Sequence, residues 1–156
     1  SRIMAPGDLV ILDFGAVYSG YHSDMTRTVV LGKPDKKQEE IYQLVLAAQV
    51  SAIEFLRAGV KAQDVDAAAR SIIEQAGYGN QFGHSTGHGV GLSIHEKPRL
   101  SVKDQTVLEE GMVVTIEPGV YLPGWGGVRI EDTVVVQNGG CRVLTRTPKE
   151  ELLSTA

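Results

Sequence analysis

The chain has 156 residues, 42% hydrophobic and 22% charged, with a formal net charge of −4. That is the size and composition of one globular domain with its own core. Lys and Arg are scattered rather than gathered into a basic stripe, no apolar run could span a bilayer, and no signal-peptide pattern opens the sequence, so neither nucleic acid nor membrane is an expected partner. A lone Cys141 excludes an internal disulfide framework and suits a reducing, cytoplasmic setting. As a side chain it reads as a small packed hydrophobe.

Pro6-Gly7 signals a turn, and the apolar run Leu9 to Phe14, ending at Gly15, predicts a buried strand. Past Gly20, the β-branched and apolar residues Thr26 to Leu31 predict its hairpin-like partner, which Gly32, Pro34 and Asp35 stop. A helical period begins at Lys36. Ile41, Leu44, Val45, Ala48, Ala52, Phe55 and Leu56 form one stripe, Glu39, Glu40, Gln43 and Gln49 face away, and Gly59 ends the helix. A second helix runs from near Gln63 to Ala76, with Val65, Ala69, Ile72 and Ile73 inward and Gly77 at its end. A Gly-rich stretch from Gly77 to Gly91 follows. The last third is β again, in Met112 to Ile116, Gly127 to Val136 and Arg142 to Thr145, separated by Pro/Gly and Asn138-Gly139-Gly140 turns. Helices grouped between β regions give an α+β class rather than a repeating βαβ sheet.

The two β regions echo one another. Asp13-Phe14-Gly15-Ala16-Val17-Tyr18 resembles Glu117-Pro118-Gly119-Val120-Tyr121, and Asp24 to Val30 resembles Glu131 to Val136. Each copy is an acid, a Gly turn, an aromatic, a Gly-containing hairpin tip and a second acid opening a β-branched strand. Hairpins share turn chemistry, so such a match can arise by chance. Here it sets Asp13 with Glu117 and Asp24 with Glu131, and two hairpins related by a pseudo-twofold would turn four carboxylates to a common centre. Asp13 and Glu117 each end an apolar strand, where an unpaired charge is costly to bury, and a shared cation is their simplest partner.

His84, His88 and His95 fall within twelve positions among glycines, which let backbone approach a site closely. In an extended segment His84 and His88 share a face, and His95 joins them only if the chain bends at Gly89 or Gly91. With His88, the four acids make a donor set of carboxylate oxygens and one imidazole, better matched to a pair of divalent cations than to a structural zinc. His22 reads as a surface residue at a hairpin tip. Trp125, between glycines, is either a pocket wall or a packed loop aromatic, and Glu109, Glu110 and the acids around Glu150 read as solvated charge.

Leu12-Asp13-Phe14-Gly15, Tyr21 to Thr28, His84 to Glu96, Glu117-Pro118-Gly119 and Val128 to Asp132 together resemble the pita-bread metallopeptidases, most of all the Xaa-Pro branch of aminopeptidase P and prolidase. The resemblance runs from Gly7 to Val136, with the five blocks in order. It implies a pita-bread (creatinase/aminopeptidase-like) fold of two pseudo-symmetric αβ halves, and a hydrolase of proline-containing peptides. On the family pattern Asp13 binds one metal ion, Asp24 and Glu131 bridge two, and His88 and Glu117 bind the other. His84 and His95 face substrate, while Thr26 and Arg129 support the ligands. Two divalent ions are implied, Mn²⁺ first, with Co²⁺, Zn²⁺ and Fe²⁺ admissible. Glu117 is the expected general base, and a homodimer is expected for the whole protein. The chain is expected to be a C-terminal catalytic piece, one domain over residues 1–156 without the family's first helix and strand region or an N-terminal domain. Three other readings are open: a methionine-aminopeptidase-like enzyme, a non-catalytic binding module, and a creatinase-like amidinohydrolase. Retention of all five ligands opposes the last two.

Overall fold

The computed structural model describes residues 2–155. The chain begins with β1 (Leu9–Phe14), a small hairpin of β2 (Val17–Tyr18) and β3 (Tyr21–His22), and β4 (Met25–Leu31). Helices α1 (Lys36–Phe55) and α2 (Ala62–Gln75) follow. A single 3₁₀ turn over Gly79–Gln81 leads to β5 (Gly87–Gly89) and β6 (Glu96–Leu100). Then come β7 (Val113–Ile116), the hairpin β8 (Gly119–Leu122) with β9 (Gly126–Arg129), β10 (Asp132–Gln137), β11 (Gly140–Val143) and β12 (Leu153–Thr155). One sheet has the order β1-β4-β12 and the other β11-β10-β7-β5-β6. Among the described residues no helix is long and apolar enough to cross a membrane.

Local chemistry accounts for the helices. Asp35 caps α1 by accepting the Gln38 N–H at 2.8 Å, while Oε1 of Gln38 accepts the Asp35 N–H at 3.0 Å, a reciprocal capping box. Ile41, Val45, Ala48 and Ala52 of α1 and Val65, Ala69 and Ile73 of α2 are buried, and the small Ala positions let the two helices lie close. Gln49 departs from the expectation. It is wholly buried, because it serves Asp132 of β10 rather than solvent. Cys141 packs half-buried against the core, as its size suggests.

The echo corresponds to a repeated unit of strand, short hairpin and antiparallel strand: β1, β2–β3, β4 in one half and β7, β8–β9, β10 in the other. Asp13 lies opposite Thr26, and Ile116 opposite Asp132. The halves meet at an isolated bridge between Thr26 and Glu131, where the Glu131 N–H donates to the Thr26 carbonyl at 3.0 Å. That seam splits the expected Gly127 to Val136 strand into β9 and β10, and the expected Arg142 to Thr145 strand lies earlier, at Gly140–Val143.

The Gly-rich stretch holds a strand, β5, that periodicity does not reveal, and β6 follows just beyond it. A Cβ on Gly87 would sit 1.9 Å from the Thr115 carbonyl oxygen, and one on Gly89 would sit 2.4 Å from that of Lys97. Glycine here lets β5 press between its neighbours, and it removes the side-chain alternation that marks a strand in sequence.

Candidate metal centre

Glu131 and Asp24 flank the seam, one from each half. Oε2 of Glu131 accepts a 2.6 Å hydrogen bond from the Thr26 hydroxyl, and Oε1 is buried with no partner. His88, on β5, brings its imidazole to the same place. Its Nδ1 lies 2.9 Å from the Gly89 carbonyl oxygen, so in the neutral ring Nδ1–H donates there and the Nε2 lone pair faces inward. Nε2 is 3.2 Å from Oε1 of Glu117 and 3.6 Å from Oδ2 of Asp24. Asp24, His88 and Glu131 each offer one donor atom, all within 4.8 Å of one another.

Asp13 and Glu117 stand at the flanks, and both raise the proton affinity of Asp24 and Glu131. The two are not equivalent in burial. Glu117 is 16% exposed at its side chain, but Asp13 is 52% exposed and paired with Arg129. The buried-charge expectation therefore holds for Glu117 and not for Asp13, whose strand ends at the surface.

The electrostatics match a surplus of acid. Burial first, then the charge of Glu117, pushes the Glu131 carboxyl to about 8, with Asp24 and Asp13 adding and the Thr26 hydrogen bond opposing. Burial also raises Asp24, helped by Asp13 and Glu117 and opposed by His88. At His88 burial works against the imidazolium, yet hydrogen bonds to Glu117 and the Gly89 carbonyl outweigh it and raise its pKa. Crowded carboxylates, an inward imidazole nitrogen and a partnerless buried oxygen fit a divalent cation.

Above the cluster His84, Ser85, His88, His95, Arg99, Glu117 and Arg129 line a cleft of about 360 Å³. His84 places Nδ1 2.8 Å from the Ser85 carbonyl oxygen and Nε2 3.1 Å from the Tyr121 hydroxyl, which in turn accepts from Arg129 Nη1 at 2.9 Å. Arg129 also donates to the Thr26 hydroxyl, 3.3 Å away, and to Asp13. The anticipated bend is present: register shifts between His88 and Gly89, and the chain returns with the His95 ring 4.4 Å from that of His88.

His22 is half-buried rather than a surface residue, because its N–H donates to the Gly91 carbonyl at 2.7 Å and braces that bend. Trp125 is packed against the core under Lys37, whose Nζ lies 5.0 Å from the ring centroid, and does not line the cleft. Glu109, Glu110 and Glu150 are exposed, as expected.

Sequence reasoning missed Arg99, which carried no motif, and Tyr121, whose only signal was its place in the second copy of the echo. It also missed a buried hub. All five guanidinium donors of Arg27 are used: Nε to Pro148 O at 3.1 Å, Nη1 to the carbonyls of Thr26 and Glu131 at 2.8 and 2.6 Å, and Nη2 to Asp132 Oδ1 at 2.7 Å and Thr147 O at 2.6 Å. Lys149 and Gln49 hold the other oxygen of Asp132. The hub fixes the peptides on both sides of the seam.

Residues 1–138 match the profile of metallopeptidase family M24. The chain is 57% identical over 146 residues to the Xaa-Pro dipeptidase of Pyrococcus furiosus, across 94% of this chain and 42% of the relative. It superposes with a TM-score of 0.96 on the Xaa-Pro dipeptidase from Bacillus anthracis, at 51% identity, covering 99% of this chain and 43% of that one. The N-terminal domain of the FACT complex subunit SPT16 from chickpea superposes at 0.87 with 23% identity, over 99% of this chain and 39% of that one, and shares the fold alone. The architecture is thus the expected α+β pita-bread fold, and with the carboxylate–histidine cluster it defines a metallopeptidase domain. The chain belongs to metallopeptidase family M24. It spans about two fifths of the length of the relatives it matches.

Proposed function

We propose that this chain carries the catalytic centre of an Xaa-Pro peptidase, hydrolysing the peptide bond on the N-terminal side of proline. The observation that carries the reading is the partnerless Oε1 of Glu131, buried among Asp24, His88 and Glu117. The naming of the P. furiosus and B. anthracis relatives as Xaa-Pro dipeptidases supports the substrate class. Asp13 would hold one divalent cation, Asp24 and Glu131 would bridge two, and His88 and Glu117 would hold the second. The oxygen-rich set suits Mn²⁺ first, with Co²⁺, Zn²⁺ and Fe²⁺ also admissible. Two such cations would supply water of lowered pKa and Lewis-acid polarisation of the scissile carbonyl.

The protein's own groups do the rest. Glu117 lines the cleft and would accept the proton of the attacking water as general base. His84 and His95 face the same cleft and can donate hydrogen bonds to the developing oxyanion and to the peptide. Arg129 keeps Tyr121 and Thr26 in place beside the ligands. Arg99 is a cation at the cleft wall and is placed to receive the free carboxylate of a short peptide. A homodimer and a cytoplasmic setting complete the proposal for the whole protein.

The test is a panel of Xaa-Pro, Xaa-Pro-Xaa and Met-Ala peptides with metal-loaded protein, alongside Glu117→Gln. Cleavage of proline peptides that the variant abolishes is the expected result. Cleavage of Met-Ala alone would move the assignment to methionine aminopeptidase chemistry. Absence of any bindable divalent ion would favour a binding module on the fold shared with SPT16.

A further inference from the structure

Away from the cluster, α2 carries a buried charge that none of the functions above uses. Asp66 is fully buried and forms a two-pronged ion pair with Arg70 one turn later, Nε to Oδ2 at 2.7 Å and Nη2 to Oδ1 at 2.9 Å. Neither side chain merely satisfies the other. Oδ1 of Asp66 also accepts from the Thr86 hydroxyl at 2.8 Å and the Thr86 N–H at 3.1 Å. Arg70 reaches past Asp66 to donate to the Phe82 carbonyl at 2.9 Å and the His84 carbonyl at 2.8 Å, with its guanidinium 4.1 Å from the Phe82 ring centroid. The segment from Phe82 to Thr86 is therefore held at both ends by one pair of charges on a helix.

That segment delivers His84 to the cleft, its ring wedged between Phe82 and Tyr121 with centroids at 5.1 and 5.5 Å. We propose that Asp66 and Arg70 are positioning residues, a clamp on α2 that sets His84 in the cleft without facing the metal cluster. This rests on the function proposed above for what His84 does, but the placement itself can be measured without it. Arg70 suits the task because a planar guanidinium can serve a carboxylate and two carbonyls at once, which a lysine ammonium cannot do in the same geometry.

The test compares Arg70→Met and Arg70→Lys with the parent protein in three measurements. Thermal melting and divalent-cation affinity, with Mn²⁺ as the probe, report fold and ligand cluster. Nuclear Overhauser contacts between the His84 and Tyr121 rings in the metal-free chain report placement. Xaa-Pro hydrolysis reports the consequence. The expected result is loss of the His84–Tyr121 contact in both variants, Mn²⁺ affinity within a few-fold of the parent, and kcat/KM lowered about 10- to 100-fold. Persistence of the ring contact in Arg70→Met would overturn the clamp, as would a fall in Mn²⁺ affinity parallel to any loss of rate. If the parent cleaves no peptide, the function proposed above fails while the ring contact still decides the clamp. Should Arg70→Met fail to fold, Arg70→Lys carries the test with the same readouts and expectations.

Discussion

The hydroxyl of Thr26 holds one oxygen of Glu131 at 2.6 Å and leaves the other buried without a partner. Thr26 is the second residue of its half's return strand and Glu131 precedes the counterpart strand in the other half, so the contact that joins the halves also orients a carboxyl crowded by three other acids.

Neutralising that group should separate stability from metal binding. Glu131→Gln removes a charge that burial and three carboxylates oppose. The metal-free variant is expected to be more stable than the parent at pH 8 by roughly 1–3 kcal/mol and to bind Mn²⁺ at least about tenfold more weakly. Chemical denaturation and calorimetric titration measure the two effects. A destabilised variant with unchanged affinity would remove Glu131 from the ligand set.

The pH dependence of the metal-free chain follows from the same cluster. Glu131 moves from an ordinary 4.5 to about 8 in the fold, so between those values the folded chain keeps a proton that the unfolded chain has released. Asp24 and His88 are raised as well, which adds protons to the folded state. All three act with one sign. Metal-free stability should fall as pH rises from 4.5 towards 8, and excess Mn²⁺ should flatten that slope by replacing the protons. Melting temperatures of chelator-treated protein that rise across this interval would contradict the acid cluster.

Arg27 offers a test of the seam rather than of the ligands. Arg27→Met leaves Asp132, 1% exposed at its side chain, without one of its two cations, and strips the Thr26 and Glu131 carbonyls of a donor. The expected loss is about 3–5 kcal/mol in denaturant titration. Adding Asp132→Asn should recover part of it, because the charge left behind causes much of the damage. Strict additivity of the two variants would show that they do not share a network.

Arg99 makes a claim about substrate. If it receives a free carboxylate, Arg99→Met should raise KM for Xaa-Pro dipeptides about 10- to 100-fold while changing amidated analogues little. An equal effect on both peptide forms would assign Arg99 a role other than carboxylate recognition.

Much of the site could be read in the sequence because the echo set Asp13 with Glu117 and Asp24 with Glu131, and because glycines around His88 advertised a close approach. What stayed hidden has a common cause. Gln49 looked like an outward polar residue since periodicity carries no trace of Asp132, 83 positions away, which buries it. The pairing of Asp13 with Arg129 is equally long-range, between residues 116 positions apart. β5 escaped notice because the glycines that admit it to the sheet also erase its pattern.

β1 pairs with β4 along one side, and among the described residues no strand pairs with it along the other. Leu12 and Phe14 are exposed there, 41% and 56%, with Asp13 between them. A bare strand margin invites another strand to join it. Any newcomer would lie alongside Asp13 and alter how water and counter-ions reach the acids behind it. Pairing along that margin would change the surroundings of Asp13 before those of Glu131, which is 2% exposed.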